Sequence, residues 1–400
     1  MNLELAVKSI GNSIINSELE YKNDLLLPNG KVGISLFLYY CGNYLKKDKF
    51  IERSYSFFEE SFLALNDFGE KVDGKTFFGG YTGVLWLYQH YINIGFIEYD
   101  DDAKETFNIF DNLIKNEILN EKRLKNYDLL YGVLGYGVYF LERDKFTSQK
   151  ERLNEIVDVL DEISIKKEFG VAWEDRFERS ENRDKELINL GFAHGIPSII
   201  LFLSYVYKAT RYKKSLFLID QAIKFLKSYE LDSSQDSCFS LNILNGEAVN
   251  FKTRLAWCYG DLGIGYAILK SGKLLSNSTY IDYGKEILYS LIDKNIDDRS
   301  TGIKDAGFCH GTSGVSHLFY KVYQCTKEEK FLKISDYWFK QSLKMANTNG
   351  GYSSCNYIDE EERWLFESNN GLLEGGAGVG LCALSRLESN SITWDLCFLL

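Results

Sequence analysis

Four residues concentrate the chemistry available to this sequence: Cys258, Cys309, His310 and His194. Cys309 and His310 are adjacent, Cys258 stands 51 positions before Cys309, and both histidines directly precede a glycine. Thiolates and imidazole are zinc donors, and three protein ligands leave a fourth tetrahedral position for water or substrate. No Cys-x-x-Cys pair occurs, which excludes a treble-clef or ribbon zinc site. Taken singly, each cysteine could be a buried free thiol, or the two could form a disulfide. Some feature of the chain must bring them together for zinc chemistry to follow.

That feature is an internal repeat. A glycine, two residues and a second small residue precede an apolar run seven times. The first glycines are Gly30, Gly80, Gly132, Gly195, Gly260, Gly311 and Gly375, at spacings of 50, 52, 63, 65, 51 and 64 residues. The second small residue is glycine except in the fourth copy, which has Ser198. Each run after the glycines is apolar on nearly all sides, the pattern of a buried helix. Each stretch before the next glycine is amphipathic and charged, as in residues 47–68, the pattern of an outer helix. The expected fold is all-α: an α/α toroid of seven helix-hairpin repeats, with inner and outer rings, formed by residues 1–400 as one domain. Closure is expected because neither end carries a polar capping repeat. The longer connections near 165–190, 228–255 and 345–370 leave room for a small irregular or β insertion.

Composition agrees. Two prolines in 400 residues suit a largely helical chain, while 13 of the 33 glycines mark the seven crowded helix starts. A net charge of −11 disfavours a nucleic-acid clamp and electrostatic adsorption to anionic lipid. No uninterrupted apolar run reaches the 18 or so residues of a spanning helix, so no direct membrane insertion is expected. The first residues lack the pattern of a secretory signal, so the eight cysteines read as reduced thiols of a cytoplasmic protein.

The repeat also aligns the chain with itself. Immediately before the first glycines stand Asn29, Gly79, Tyr131, His194, Tyr259, His310 and Glu374. One position earlier stand Pro28, Phe78, Leu130, Ala193, Cys258, Cys309 and Leu373. Equivalent positions of a closed ring share one rim, so Cys258, Cys309 and His310 converge at one mouth as a zinc set, with His194 beside them. A histidine there has a suitable pKa for acid–base work. His317, His90 and the remaining cysteines read as core or surface bystanders. Glu374 could line the cavity, and Trp257 and Trp364 could touch a peptide near the mouth.

The strings Ala256-Trp-Cys-Tyr-Gly260, Cys309-His-Gly311 and Ala193-His-Gly195 resemble the motifs of the lanthionine synthetase C-like family, the lanthipeptide cyclases. The resemblance covers essentially the whole chain. It implies a zinc enzyme that adds peptide cysteines across dehydroalanine or dehydrobutyrine, forming lanthionine and methyllanthionine rings. By motif, Cys258, Cys309 and His310 match the zinc ligands, and His194 matches the acid/base. Arg254, Tyr259 and Asp128, the last in Asn-Tyr-Asp-Leu-Leu-Tyr-Gly, match family residues of the catalytic site. Arg254 would stabilise an enolate or hold Asp128, and Asp128 would orient His194. The implied partners are a dehydrated precursor peptide of leader and core, a dehydratase and an export transporter. Through those partners the protein would lie peripherally at the membrane.

Three other readings use the same features. A relative could add glutathione to dehydrated residues, or bind such peptides without closing rings. A prenyltransferase-like zinc barrel would need a carboxylate ligand and a second subunit. Toroidal glycosidases use paired carboxylates, and here the rim carries cysteine and histidine.

Overall fold

The computed structural model describes residues 3–17, 24–67, 74–176, 185–232, 236–251, 254–293, 301–358, 363–388 and 392–400. Within them the glycines do what the repeat requires. Seven inner helices begin immediately after the first glycines: α2 (Lys31–Leu45), α4 (Tyr81–Asn93), α6 (Val133–Asp144), α8 (Ile196–Thr210), α10 (Asp261–Leu275), α12 (Thr312–Thr326) and α14 (Gly376–Leu387). They are buried on nearly every side; in α4 all residues from Tyr81 to Ile92 are buried. The second glycine lets each helix start lie on the loop before it. A Cβ at Gly314 would sit 1.8 Å from the Phe308 carbonyl oxygen, which no side chain tolerates.

The outer helices are α1 (Leu3–Asn16), α3 (Asp48–Leu63), α5 (Asp101–Leu124), α7 (Lys150–Ile163), α9 (Lys213–Ser228), α11 (Ser278–Asp293) and α13 (Glu329–Lys344). Each has one apolar stripe; α7 buries Leu153, Ile156, Val157, Leu160 and Ile163, a helical spacing. The repeat extends to individual bonds. Ser35 and Ser54 exchange hydroxyl-to-carbonyl hydrogen bonds between α2 and α3, and Ser316 and Ser335 do the same between α12 and α13.

Each inner helix packs against the next, and α14 packs against α2, so the ring is closed. The seventh hairpin joins segments far apart in the sequence: α1 packs on α14 as its outer partner, and among the described residues after α14 there is only a 3-10 turn, Trp394–Phe398. The toroid also carries short strands in the three long connections. β1 (Ile165–Lys167) pairs with β2 (Gly170–Ala172). β3 (Leu187–Asn189), β4 (Asn242–Leu244) and β5 (Glu247–Val249) form an antiparallel sheet. β6 (Ser353–Ile358) and β7 (Arg363–Ser368) form a hairpin. The three-stranded sheet ties together the connections that enter the fourth and fifth helix starts.

The axis is plugged by apolar side chains. Three positions before the first glycines, Leu27, Phe77, Leu129, Phe192, Trp257, Phe308 and Leu372 are all fully buried. A 3-10 turn, Trp394–Phe398, enters this layer, with Phe398 stacked on Phe308 at 4.2 Å between ring centroids and edge-on to Trp257 at 5.0 Å. Trp257 is therefore part of the floor rather than a contact at the mouth. Trp364 stands half-exposed on β7.

Candidate metal centre and acid–base pair

The loops before the inner helices form the rim, and their backbone is linked in sequence around the ring. The residue two before the first glycine donates its N–H to the carbonyl of the equivalent residue in the next repeat: Phe78 to Leu130, Ala193 to Cys258, Cys258 to Cys309, Cys309 to Leu373 and Leu373 to Pro28. The link from Pro28 is absent because proline has no N–H. The link from Leu130 is absent because its N–H goes to Asp128 Oδ1 at 2.8 Å. Cys258 and Cys309 are thus joined backbone to backbone, at 3.3 Å, by the same bond that organises the rest of the rim.

A second device shapes each loop. Six positions before the first glycine, Asp24, Asn126, Asn189, Asp305 and Asn369 each accept a hydrogen bond on Oδ1 from the backbone N–H two residues later. The equivalent residues in the second and fifth repeats are Gly74 and Arg254. The fifth loop, lacking this turn, follows another path, and its glycine, Gly260, has φ +99°. Among the helix-starting glycines it alone needs the left-handed half of φ space, so the loop that carries Cys258 depends on glycine for its backbone as well as for room.

On this rim Cys258, Cys309 and His310 bring their donor atoms within 4.8 Å of one another. Both cysteines are free thiols. A hydrogen bond from the Cys309 thiol, with further support from His310 and Arg254, holds the Cys258 thiol well below its ordinary range. The hydrogen bond to Cys258 raises His310. Asp305 Oδ2 lies 3.9 Å from His310 Nε2 and accepts the Cys355 backbone N–H at 2.9 Å, so hairpin β6–β7 braces the loop of the ligand-type histidine.

The neighbouring repeat carries a histidine–aspartate pair. His194 Nδ1 is 2.6 Å from Asp128 Oδ2, and Asp128 is buried. The other oxygen of Asp128 accepts the N–H groups of Leu130 and Tyr131, both at 2.8 Å, so the aspartate caps its turn and holds the imidazole together. Tyr127 donates its hydroxyl to the His194 carbonyl at 3.0 Å. The Tyr259 ring lies 6.2 Å from that of His194, and its oxygen accepts from Asn189 at 3.1 Å. Arg254 is exposed and makes no hydrogen bond or ion pair among the described residues. It therefore does not hold Asp128, which is engaged by His194 and two backbone amides. Its charge is felt at Cys258, Cys309 and His310.

Sequence reasoning missed Asn189 and Asp305. Their signal was present in the internal alignment, six positions before the first glycine, where five of seven residues are Asp or Asn. His317 and His90 lie toward the opposite end of the axis, with Asp395 at 2.9 Å and Glu142 at 3.0 Å respectively.

Fold and site together define an α/α toroid with a Cys–Cys–His cluster and a His–Asp pair on one rim. The sequence profile described as "Lanthionine synthetase C-like protein" matches residues 21–399, and the chain belongs to that family. It is 24% identical over 335 residues to the nisin biosynthesis protein NisC of Lactococcus lactis subsp. lactis, covering 78% of this chain and 75% of NisC. The structure of a nisin cyclase superposes with a TM-score of 0.71 at 20% identity, over 99% of this chain and 96% of that one. The GH76A α-1,6-mannanase of Salegentibacter sp. HEL1_6 shares the architecture at a TM-score of 0.50 and 12% identity, over 96% and 99% of the two chains. Such likenesses establish the toroid only. Among the described residues no helix is long and apolar enough to cross a membrane.

Proposed function

We propose that the protein is a zinc-dependent lanthipeptide cyclase that closes thioether rings in a dehydrated precursor peptide. The observation that carries this reading is the convergence of Cys258, Cys309 and His310 within 4.8 Å on the rim that also holds His194. The donor chemistry fits zinc: two thiolates and one imidazole, with one tetrahedral position left over. Zinc held there supplies the positive charge needed to deprotonate an incoming peptide thiol at neutral pH, and two thiolate ligands keep that sulfur electron-rich.

The chain's own groups handle the rest. Addition of the sulfur to the β-carbon of a dehydrated residue moves an electron pair onto the carbonyl oxygen, and the α-carbon then takes a proton. Asp128 accepts the Nδ1 proton of His194, which fixes the tautomer and leaves Nε2 to deliver that proton. Arg254 offers an uncommitted positive charge for the enolate oxygen. Tyr259, fixed by Asn189, borders the histidine. The proton lost by the thiol reappears on carbon, so the product has the mass of the reactant. The buried layer under the rim confines the peptide to this mouth. A dehydratase would supply the substrate and a transporter would receive the product, and protein contacts with them would place the enzyme at the membrane.

The test is to incubate the purified protein with a dehydrated, cysteine-containing peptide. Alkylatable thiols should fall at constant mass, and the protein should hold close to one equivalent of zinc that Cys258→Ala and Cys309→Ala lose. Unchanged thiol counts, or variants that keep their zinc, would sink the proposal.

A further inference from the structure

At the end of the axis opposite the rim, the inner helices present a second circle of polar side chains, ten residues after each first glycine. Nearly all of them are satisfied. In the first three repeats Tyr40, His90 and Glu142 form a buried chain, with 2.8 Å from Tyr40 to His90 and 3.0 Å from His90 to Glu142. In the sixth, Lys321 donates to Asp395 at 2.8 Å; in the seventh, Ser385 accepts from Trp394 at 2.9 Å. In the fourth, Tyr205 reaches the Leu400 carbonyl at 3.4 Å. The fifth repeat is the exception. Lys270 is half-buried and makes no hydrogen bond, ion pair or ring contact among the described residues.

Lys270 faces a cavity of about 700 Å³ lined by the C-terminal ends of α6, α8, α10, α12 and α14 and the segment around Asp395. Lys208, on α8, lines the same cavity and is likewise unpaired among the described residues, and Lys321 lines it from α12. Leu141, Tyr320 and Leu396 add an apolar lining. Three ammonium groups from successive inner helices thus face one space; of its two carboxylate side chains, Asp395 already serves Lys321 and His317, and Asp144 accepts the Gln149 backbone N–H. Burial, with repulsion by Lys321 and Lys208, outweighs the attraction of Cys325 and Asp395 and lowers the pKa of Lys270. Elsewhere on this circle the fold satisfies each polar group internally. Here Lys270 and Lys208 are left without a partner among the described residues, in a chain whose net charge is −11.

We propose that this cavity is a binding site for a small organic anion carrying two or more negative charges, of the phosphorylated or polycarboxylated kind. Its charged groups lie between Lys208, Lys270 and Lys321, and its carbon skeleton packs on the apolar lining. The volume falls in the range of about 300–1,000 Å³ usual for small-molecule sites. The plug of Trp257, Phe308 and Phe398 lies between this site and the cysteines, so the anion is not the peptide that reacts at the rim. The inference therefore stands whether or not the cyclase reading does.

The zinc-loaded full chain titrated calorimetrically with inorganic pyrophosphate and, separately, with citrate tests this at low ionic strength. At least one probe should bind saturably with a Kd below about 1 mM, and which one binds tells phosphate from carboxylate recognition. Lys270→Gln should weaken that binding about tenfold or more, Lys208→Gln by less, with zinc content and helical circular dichroism unchanged. Lys208 is exposed at the mouth, so its variant carries the test if Lys270→Gln does not fold. No saturation by either probe, or binding that survives both substitutions, overturns the proposal. Binding that is lost with Cys309→Ala but kept in the lysine variants places the anion at the rim and overturns it as well.

Discussion

Asp128 Oδ2 and His194 Nδ1 meet at 2.6 Å at the junction between the third and fourth repeats, where the rim's backbone link is missing. The two facts share a cause. Asp128 Oδ1 takes the Leu130 N–H that would otherwise have joined the repeats, and the side-chain pair spans the junction instead. A junction that other repeats close backbone to backbone is closed here by a side-chain pair.

Asp128 can be divided into its two roles. Asp128→Asn keeps an oxygen for the Leu130 and Tyr131 amides, so unfolding free energy should change by less than about 1 kcal/mol. Its amide would donate to His194 Nδ1 and impose the wrong tautomer, slowing ring closure about a hundredfold or more. Asp128→Ala should show that loss plus about 1–3 kcal/mol of destabilisation from the orphaned buried amides. Ring-closure rates and denaturant unfolding on both variants check this; an Asn variant with normal rates would leave only the capping role.

Arg254 should separate from stability altogether. It is exposed and makes no hydrogen bond or ion pair among the described residues, so Arg254→Gln should leave stability within about 0.5 kcal/mol. If its charge serves the enolate, the rate of ring closure should fall about a hundredfold. Parallel melting and single-turnover assays decide it.

Phe398 should couple the plug to the candidate metal centre. Removing its ring leaves a hole against Phe308 and Trp257, at a cost of about 3–5 kcal/mol. Because Phe308 directly precedes Cys309, Phe398→Ala should also weaken zinc retention in a competition with a chelator. Destabilisation with undiminished zinc affinity would show that the plug supports the fold alone.

Glu142 predicts the acid limb of stability. Burial alone would raise this carboxyl, but His90 and Lys145 outweigh it and hold the group at about 2, below its ordinary 4.5. A depressed folded-state value means that the stabilisation is present above pH 4.5 and is lost as pH falls toward about 2. Its size is at most about 3 kcal/mol. Urea unfolding from pH 7 to pH 3 should therefore show a shallower acid decline for Glu142→Gln, which starts from a lower plateau.

Much of this was legible because the repeat is written in glycine. The seven helix starts, the β insertions in the three long connections and the convergence of Cys258, Cys309 and His310 follow from counting along the chain. Helix ends were harder, since Lys46, Lys125, Arg211, Ser276 and Lys327 adopt the left-handed cap conformation that usually advertises itself with glycine. The burial of Trp257 was hidden, because one residue separates the floor of the cavity from its rim. The pairing of β3 with β4, and the use of α1 as the outer partner of α14, join segments too distant for any local pattern to reveal.

That last partnership has a consequence for how the molecule is made. On the ribosome, six hairpins emerge before α14, and the first helix, which packs on α2 and α3 at once, must wait for α14 before its apolar stripe is fully covered. Closing so long a loop costs only logarithmically more entropy than a short one, but it comes last. The early helices are thus candidates for chaperone protection during synthesis.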